Sequence, residues 1–269
     1  MEFHDATGAA VVLPAPPRRI VSLIPSITEI FFGLGAGPSV AGCTVYCTEP
    51  PEGVATKTRV GGQKNPKLDV IRELGADLVV ANVEENVREH VETLRRWGIP
   101  VYVTYPRTVA AGIRLVSDLG AVVGLPERGR EMAAALEAAL DDARSACAGK
   151  PASRVFYAIW RGPWMTINRD TYAHDMLAMC GGDNVFGRSA TRYPEVTLPD
   201  VARAAPEVIL LPDEPYRFRR AHLADFDAHP DIPAVRDRRV HLVDGKLATW
   251  YGPRIAEAFR VLPRLIAGE

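Results

Sequence analysis

The chain has 269 residues, and its 32 basic and 33 acidic side chains give a formal net charge of −1. This balance argues against a nucleic-acid-binding protein, which needs a clustered basic surplus. The hydrophobic share of 47% and the charged share of 24% are typical of globular proteins, and no apolar run approaches the roughly 20 residues of a membrane span. The length suits one large α/β domain or two smaller lobes.

The first residues show no secretory signal pattern, because residues 1–19 lack a basic segment followed by an apolar core. Two interpretations stay open: a cytoplasmic protein, or a mature chain whose signal has been removed. Val11 to Leu13 predicts a short strand that ends at the prolines after it.

Strands and helices alternate through the rest of the first half. Arg19 to Ile24 predicts a strand, and Ser26 with Glu29 has the spacing of a capping box, which predicts that Ser26 caps a helix. The next predicted elements are a helix at 67–74, a strand at 77–81, a helix at 85–97, a strand at 100–104 and a helix at 108–119. Continuous apolar strands of this kind are typical of a parallel sheet that is covered on both faces.

One long helix is predicted near the midpoint, from Pro126 to Cys147. Met132, Leu136 and Leu140 recur every four residues, and no proline interrupts the segment. A helix of this length measures about 30 Å.

The pattern then starts again. The predicted elements are strands at 154–159, 184–186, 207–211 and 240–243, and helices at 171–179, 199–205 and 253–266, the last bent or ended by Pro263. In both halves a helix with the sequence Asp-Val-x-Arg, at Asp69 and at Asp200, precedes a buried strand. We therefore predict an α/β fold with two similar lobes, 1–124 and 150–269, joined by the long helix in 125–149. A single doubly wound domain is the alternative.

No local motif indicates catalysis or a protein-built metal site. Nucleophile-elbow, phosphate-loop and dinucleotide-binding patterns are missing, and the histidines lack paired metal-ligand spacing. The four cysteines, including Cys43 and Cys47, are interpreted as ordinary thiols.

Aromatic and polar residues follow the predicted strands, where open α/β sheets bind ligands. This set predicts a ligand-binding surface, although single members could instead fill lobe cores. The candidate ligand contacts are Tyr46, Gln63, Asn82, Trp160, Trp164, Tyr193, Trp250 and Tyr251. Nearby arginines are either solvated or able to meet carboxylates or phosphate on a ligand; they are Arg161, Arg169, Arg188 and Arg192.

Several segments resemble one family in order along nearly the whole chain. They are PPRRIVSL with IPSITE from Pro16, VGG with Asn65-Pro66, ADLV from Ala76, WGIPV from Trp97, CGG-x-NVF from Cys180, and Gly252-Pro253-Arg254. They are similar to the substrate-binding proteins of ABC importers for cobalamin and ferric siderophores, most of all the cobalamin-binding type.

The resemblance implies a bilobed, non-enzymatic receptor that holds its ligand in a cleft between the lobes, with the long helix as a rigid backbone. It also implies docking on an ABC permease through one acidic residue per lobe. These positions map to Asp69 and to Asp200, although Pro199 occupies the aligned position in the second lobe. Acidic residues at helix starts are also common for purely local reasons.

The implied ligand is a cobalamin-like corrinoid or a related metal chelate, which brings its own metal, so neither a built-in cofactor nor a metal site is expected. The cobalamin-binding type has tryptophans where this chain has Gln63 and near Asn82, and a disulfide from Cys180 to the last helix, where this chain has no cysteine. A ferric siderophore or heme receptor, and a cytoplasmic corrinoid-handling protein or enzyme, are the alternatives. The expected state is a monomer in the periplasm or at the cell surface.

Overall fold

A computed structural model describes residues 1–268 as an α/β chain that divides into two compact units. Unit 1 comprises residues 1–106, 110–136 and 251–253, and unit 2 comprises residues 107–109, 137–250 and the chain from 254 onward. Within residues 1–268, no helix combines the length and the apolar character that crossing a membrane requires.

Unit 1 is built around one parallel sheet. The strands of unit 1, including two outside this sheet, are β1 (Glu2–His4), β2 (Ala10–Val12), β3 (Ile20–Ser22), β4 (Val40–Cys43), β5 (Thr58–Arg59), β6 (Leu78–Asn82) and β7 (Val101–Thr104). Its helices are α1 (Pro25–Gly33), α2 (Pro51–Ala55), α3 (Leu68–Glu73) and α4 (Arg88–Arg96), with a 3₁₀ turn at Gly37–Ser39. The sheet order is β5-β4-β3-β6-β7, and β1 and β2 form a separate antiparallel hairpin.

The central strands of this sheet are buried because their sequences are continuous apolar runs. All five residues of β6 and all four of β7 are buried. Ile71 of α3 and Leu94 of α4 pack against them in one apolar core. Since all the pairings in this sheet are parallel, the loops after its strands lie at one edge.

Two helices contribute residues to both units: α5 (Val109–Val122) and α6 (Pro126–Cys147). The bounds of α6 are those predicted from the sequence. Where α5 and α6 approach each other in unit 1, a Cβ on Gly120 would lie 2.6 Å from the Gly129 Cα. Glycine is therefore needed at this contact, which explains its presence in an otherwise alanine-rich helix. The division into lobes at 1–124 and 150–269 stays a prediction.

Unit 2 repeats the arrangement of unit 1. Its strands are β8 (Ser153–Tyr157), β9 (Trp164–Met165), β10 (Gly182–Asn184), β11 (Glu195–Val196), β12 (Val208–Pro212) and β13 (Val240–Val243). Its helices are α7 (Tyr172–Met179), α8 (Leu198–Ala204), α9 (Pro233–Arg236), α10 (Lys246–Thr249) and α11 (Arg254–Ala267), with a 3₁₀ segment at Arg220–Phe226. The main sheet has the order β10-β8-β12-β13, all parallel, while β9 and β11 form a small antiparallel pair.

The two parallel sheets share one topology. In unit 1 the first strand, β3, lies between β4 and β6, with β7 beyond β6; in unit 2, β8 lies between β10 and β12, with β13 beyond β12. The helices α3 and α8, which contain Asp69 and Asp200, precede equivalent strands. This correspondence agrees with the Asp-Val-x-Arg pattern that occurs in both halves of the sequence.

The predicted capping box at Ser26 is wrong. Helix α1 begins one residue earlier, at Pro25, and its N-cap, Ile24, makes no side-chain cap. Proline is favoured at the first helical position because its missing N–H is not needed there, and Ser26 is consequently a buried residue inside the helix. A true capping box occurs at α8, between Thr197 and Asp200.

Pro263 does not end the last helix, since α11 continues through it to Ala267. The alternative expectation, a bend at Pro263, stays a prediction. Tertiary burial compensates for the lost hydrogen bond, because Phe259, Leu262 and Ile266 of this helix are buried. Sequence reasoning missed several elements, which are all short: β1, β5, α2, α9, α10 and the β9–β11 pair.

Candidate functional site: ligand-contact surfaces at the carboxyl ends of the strands

In unit 1, two loops after neighbouring strands carry the predicted residues. Tyr46 follows β4 and is 60% exposed. Its ring packs on the turn after β5, since a Cβ on Gly62 would lie 3.2 Å from Tyr46 Cε2. Gln63, the next residue of that turn, is half-buried. The fold thus brings Tyr46 and Gln63 together.

The turn after β6 is tied to the same place. The Asn86 side chain donates a hydrogen bond to the Gln63 carbonyl oxygen at 3.0 Å, and its Oδ1 accepts one from the Asn82 backbone N–H at 2.8 Å. The Lys64 ammonium also donates to the Glu84 carbonyl oxygen. These bonds fix the loops after β5 and β6 against each other.

Asn82 itself is buried, and its amide is used inside the fold. Its Oδ1 accepts a hydrogen bond from the Glu84 N–H at 2.8 Å, and its Nδ2 donates to Thr104 Oγ1 at 3.3 Å. These contacts assign Asn82 to shaping the turn, while its neighbour Val83 is exposed. With Val45 and Tyr46, Val83 forms what we name surface 1, an exposed apolar group beside Gln63.

In unit 2, the loops after β8 and β12 meet in a cluster of rings. The Trp160 ring lies 5.4 Å from the Tyr216 ring in an edge-to-face arrangement, and Tyr216 lies 4.8 Å from Phe218. Trp160 is 42% exposed, whereas Phe218 is buried. We name Trp160, Tyr216 and the separate exposed Tyr193 surface 2. Sequence reasoning missed Tyr216, although its place after an apolar strand was a usable signal.

An ion pair holds the loop that contains Trp160. The Arg161 guanidinium donates two hydrogen bonds to the Asp225 carboxylate, at 2.5 and 2.9 Å. These bonds lower the pKa of Asp225 below its ordinary value, so the carboxylate stays charged at neutral pH. Arg161 is therefore engaged within the protein. Of the other arginines considered from the sequence, Arg192 pairs with Asp170, while Arg169 and Arg188 border a separate pocket of about 450 Å³.

Trp164 lies in β9 rather than in a loop. Its ring stacks on Phe218 at 5.6 Å and meets Phe226 edge-on at 5.4 Å. It is half-buried and packs against the main apolar core of unit 2. These contacts support a role in stabilising the core.

Trp250 and Tyr251 are adjacent in sequence but belong to different units, and both are buried. The Trp250 indole N–H donates a hydrogen bond to Glu214 Oε1 at 2.5 Å. Burial raises the pKa of Glu214, and this hydrogen bond opposes the shift. Among the eight predicted contacts, Tyr46, Trp160 and Tyr193 are exposed, Gln63 and Trp164 are half-buried, and Asn82, Trp250 and Tyr251 are buried.

The two predicted docking residues differ in their surroundings. Asp69 is exposed in the first turn of α3, and its carboxylate has no hydrogen-bond or ion-pair partner within residues 1–268. Asp200 accepts hydrogen bonds from the Thr197 N–H at 2.8 Å and the Thr197 hydroxyl at 2.5 Å, and pairs with Arg203. The bonds from Thr197 lower the pKa of Asp200.

The described residues contain no group of three or more His, Cys, Asp or Glu side chains able to hold a metal ion. The groups that the two surfaces offer to a ligand are aromatic rings, tyrosine hydroxyls, apolar side chains and the Gln63 amide. Aromatic faces of this kind suit flat ligands.

Comparison with known proteins gives the family. The family model of periplasmic binding proteins matches residues 20–247. The chain belongs to this family. Its members are binding proteins, which confirms the prediction that the chain is not an enzyme and makes the ligand a cargo rather than a resident cofactor.

Individual relatives agree with the fold. The vitamin B12-binding protein of Vibrio campbellii is 28% identical over 243 residues, which are 88% of this chain and 84% of that protein. The heme-binding protein RhuT of Roseiflexus sp. RS-1 is 27% identical, with a TM-score of 0.82 over 94% of this chain and 98% of its own. The vitamin B12-binding protein BtuF of Vibrio cholerae, 24% identical, has a TM-score of 0.84 over 94% of this chain and 98% of its own. The predicted α/β fold class is thereby confirmed.

Proposed function

We propose that the protein is the substrate-binding protein of an ABC importer and that its ligand is a cobalamin-like corrinoid or a related metal chelate. The observation that carries this proposal is the exposure of large apolar side chains at the carboxyl ends of both parallel sheets. Such residues are costly to leave in water unless they meet a partner. The names of the curated relatives, which bind vitamin B12, support the choice of ligand.

The candidate contacts are Tyr46 and Gln63 on surface 1, and Trp160, Tyr216 and Tyr193 on surface 2. Rings stack on flat macrocycles at low entropic cost, because few side-chain torsions must be fixed. Gln63 adds an amide that can donate to or accept from polar groups on the ligand rim. Asn82, Trp164 and Trp250 support the neighbouring loops from inside the protein, through their contacts with Glu84, Phe218 and Glu214.

A titration tests the proposal. Cyanocobalamin, cobinamide, heme and several ferric siderophores are each added to the purified chain, and binding is followed by calorimetry and by the visible absorbance of the ligand. We expect tight binding of at least one corrinoid, and weaker binding by the Tyr46→Ala and Trp160→Ala variants. Failure of every chelate to bind would overturn the proposal.

A matched control comes from Trp97. This residue is 38% exposed, close to the value for Trp160, but it follows α4 and packs on the Arg72 guanidinium at 5.2 Å. It precedes β7, so it lies away from the carboxyl ends of the strands. Trp97→Ala should therefore leave affinity unchanged. An equal loss for Trp97→Ala and Trp160→Ala would contradict the assignment of surface 2.

An anionic chelate, such as heme or a carboxylate siderophore, is a second candidate. Arg217 and Arg220 follow Tyr216, and both are exposed without an ion-pair partner within residues 1–268. Guanidinium groups bind carboxylates and phosphates well. If the ligand is anionic, its affinity should fall with added salt and fall further in Arg217→Gln; a neutral corrinoid should show neither effect.

The partner and compartment follow from the same proposal. We infer that the protein acts in the periplasm or at the cell surface as a monomer that delivers its ligand to an ABC permease, with Asp69 and Asp200 as docking residues. Asp69 is free to meet a permease arginine, whereas Asp200 must also keep its cap on α8. Fractionation of native cells tests the location, and recovery in the cytoplasm alone would count against import.

A further inference from the structure

Two cysteines lie directly beneath surface 1. Cys43 ends β4 and Cys47 follows four residues later, with Tyr46 between them in the sequence. Both side chains are fully buried in a small apolar cluster with Val54 and Phe32. A tight turn brings Cys47 back toward the strand, because its backbone N–H donates to the Thr44 carbonyl oxygen at 3.2 Å.

One arginine connects the pair. Nη1 of Arg59 donates to Cys43 Sγ at 3.2 Å and to the Cys47 carbonyl oxygen at 2.8 Å. The hydroxyl groups of Thr28 and Thr44 each lie 3.2 Å from Cys47 Sγ. A buried thiol seldom has so many polar neighbours, and such neighbours stabilise a thiolate.

The two thiols belong to the same buried cluster, and each affects the ionisation of the other. The neighbouring Cys43 side chain and the Thr28 and Thr44 hydroxyl groups lower the pKa of Cys47, although burial opposes this shift. The Cys47 side chain and burial raise the pKa of Cys43, while Arg59 opposes this shift. Cys47, whose sulfur lies 3.2 Å from two hydroxyl groups, is therefore the sulfur that ionises more readily and the better nucleophile.

We propose that Cys43 and Cys47 are a redox-active dithiol that is converted to a disulfide by thiol–disulfide exchange. The oxidant is a disulfide of the oxidised-glutathione class. The Cys47 thiolate attacks one sulfur of the oxidant, which forms a mixed disulfide and releases one thiolate. Cys43 then loses its proton and attacks Cys47 Sγ, which releases the second thiolate. Two electrons and two protons leave the protein, and the oxidant takes them up as two thiols.

Oxidation of Cys43 and Cys47 would also change surface 1, because Tyr46 of that surface lies on the turn between them. Val45 and Tyr46 are exposed on the turn between the cysteines, so the oxidant would reach the buried sulfur atoms through local opening that includes this turn. The Val45 N–H donates to the Gly61 carbonyl oxygen at 2.9 Å, which links the turn to the loop of Gln63. A disulfide would reshape the turn that presents Tyr46. This consequence rests on the proposed function, whereas the dithiol chemistry does not.

Mass spectrometry of the full-length protein tests the chemistry. The reduced protein is incubated with oxidised glutathione, blocked with N-ethylmaleimide and digested with trypsin. Residues 20–57 form one tryptic peptide that contains both cysteines, because no lysine or arginine lies between Arg19 and Lys57. We expect this peptide to lose two hydrogen atoms and to carry no maleimide. A peptide with two maleimides, under conditions in which the half-buried Cys147 has reacted, would overturn the proposal.

Single variants test the assigned roles. Cys43→Ser should accumulate glutathione on Cys47, because no second thiol is left to displace it. In Cys47→Ser, glutathione should be added to Cys43 at least about tenfold more slowly than it is added to Cys47 in Cys43→Ser. Cys180→Ser is the control and should oxidise like the parent protein, since Cys180 is buried in unit 2. The reverse pattern, with Cys43 modified and Cys47 inert, would refute the assignment.

Ligand affinity of the oxidised and reduced forms is a separate measurement. We expect the two forms to differ by about tenfold or more if Tyr46 contacts the ligand. If the disulfide forms but no ligand binds either form, the proposed function fails and the dithiol stands. If ligand binds and the disulfide does not form, the dithiol fails alone.

Discussion

Replacing Trp160 and Trp164 one at a time separates ligand contact from core packing. The two tryptophans are four residues apart in one loop-and-strand segment, but their surroundings differ. Trp160 is 42% exposed and its ring meets that of Tyr216, whereas the half-buried Trp164 packs on both Phe218 and Phe226. Truncation to alanine should therefore affect affinity in one case and stability in the other.

The expected magnitudes follow from these contacts. Complete burial of a tryptophan ring removes at least roughly 150 Å² from water, worth about 4 kcal/mol at about 25 cal/mol per Å². Since Trp164 is half-buried, Trp164→Ala should cost about 2 kcal/mol of stability. Trp160→Ala removes one edge-to-face pair and should cost about 1 kcal/mol of stability. At a ligand contact it should cost about 2 kcal/mol of binding, roughly a 30-fold loss of affinity.

Urea unfolding followed by circular dichroism gives the stability of each variant, and calorimetry with the tightest-binding chelate gives the affinity. Affinity is measured well below the urea concentration at which each variant is half unfolded, so that only folded protein is compared. The reasoning is refuted if folded Trp164→Ala loses more affinity than Trp160→Ala, or if Trp160→Ala is the less stable variant.

Three further predictions concern single carboxylates. Asp5→Ala should destabilise unit 1 by about 3 kcal/mol in urea unfolding, because the fully buried carboxylate pairs with Arg95 and accepts backbone hydrogen bonds; a loss below about 1 kcal/mol would contradict this. The raised pKa of Glu214 means that its protonated form stabilises the fold at low pH, and that this stability is lost as the pH rises through the folded-state pKa. Glu214→Gln should flatten that part of the curve of unfolding free energy against pH, and an unchanged curve would refute it. Asp69→Ala should leave the melting temperature unchanged, and Asp200→Ala should lower it, while both variants should stimulate the permease ATPase less than the parent protein. A melting temperature of Asp200→Ala equal to that of the parent protein would exclude the capping role of Asp200.

The sequence was sufficient for the longest helix and for the shared topology. From Pro126 to Cys147 every turn has strong helix formers and an apolar position, so local preference and burial agree. The repeated Asp-Val-x-Arg segments likewise precede equivalent strands, β6 and β12. Where local and tertiary signals coincide, the pattern alone predicts the element.

The capping-box pattern failed at α1 because the spacing of two polar residues does not determine where a helix begins. Ser26 with Glu29 and Thr197 with Asp200 both have capping-box spacing, yet only the second pair forms one. In the first pair, Pro25 occupies N1 and moves the start of the helix before the serine. In the second pair, Pro199 lies at N2 and leaves Thr197 at the cap. The position of a single proline decides between them, which the spacing of the polar residues does not show.

The candidate site could be predicted only as a set of loops. An aromatic residue after a strand can point to solvent, like Trp160, or toward the core, like Trp164, and sequence gives both the same weight. Their difference arises from Phe218 and Phe226, which lie more than 50 residues away in the chain that follows β12 and contact the Trp164 ring. Phe226 is the last residue of the 3₁₀ segment in that stretch. Tyr216, carried by the same returning chain, contacts the Trp160 ring instead. Trp160 and Tyr216 of surface 2 thus come from two distant loops. Tyr216→Ala should therefore weaken ligand binding even though Trp160 is still present. Affinity unaffected by Tyr216→Ala, with Trp160→Ala still weakened, would show that Trp160 binds without this support.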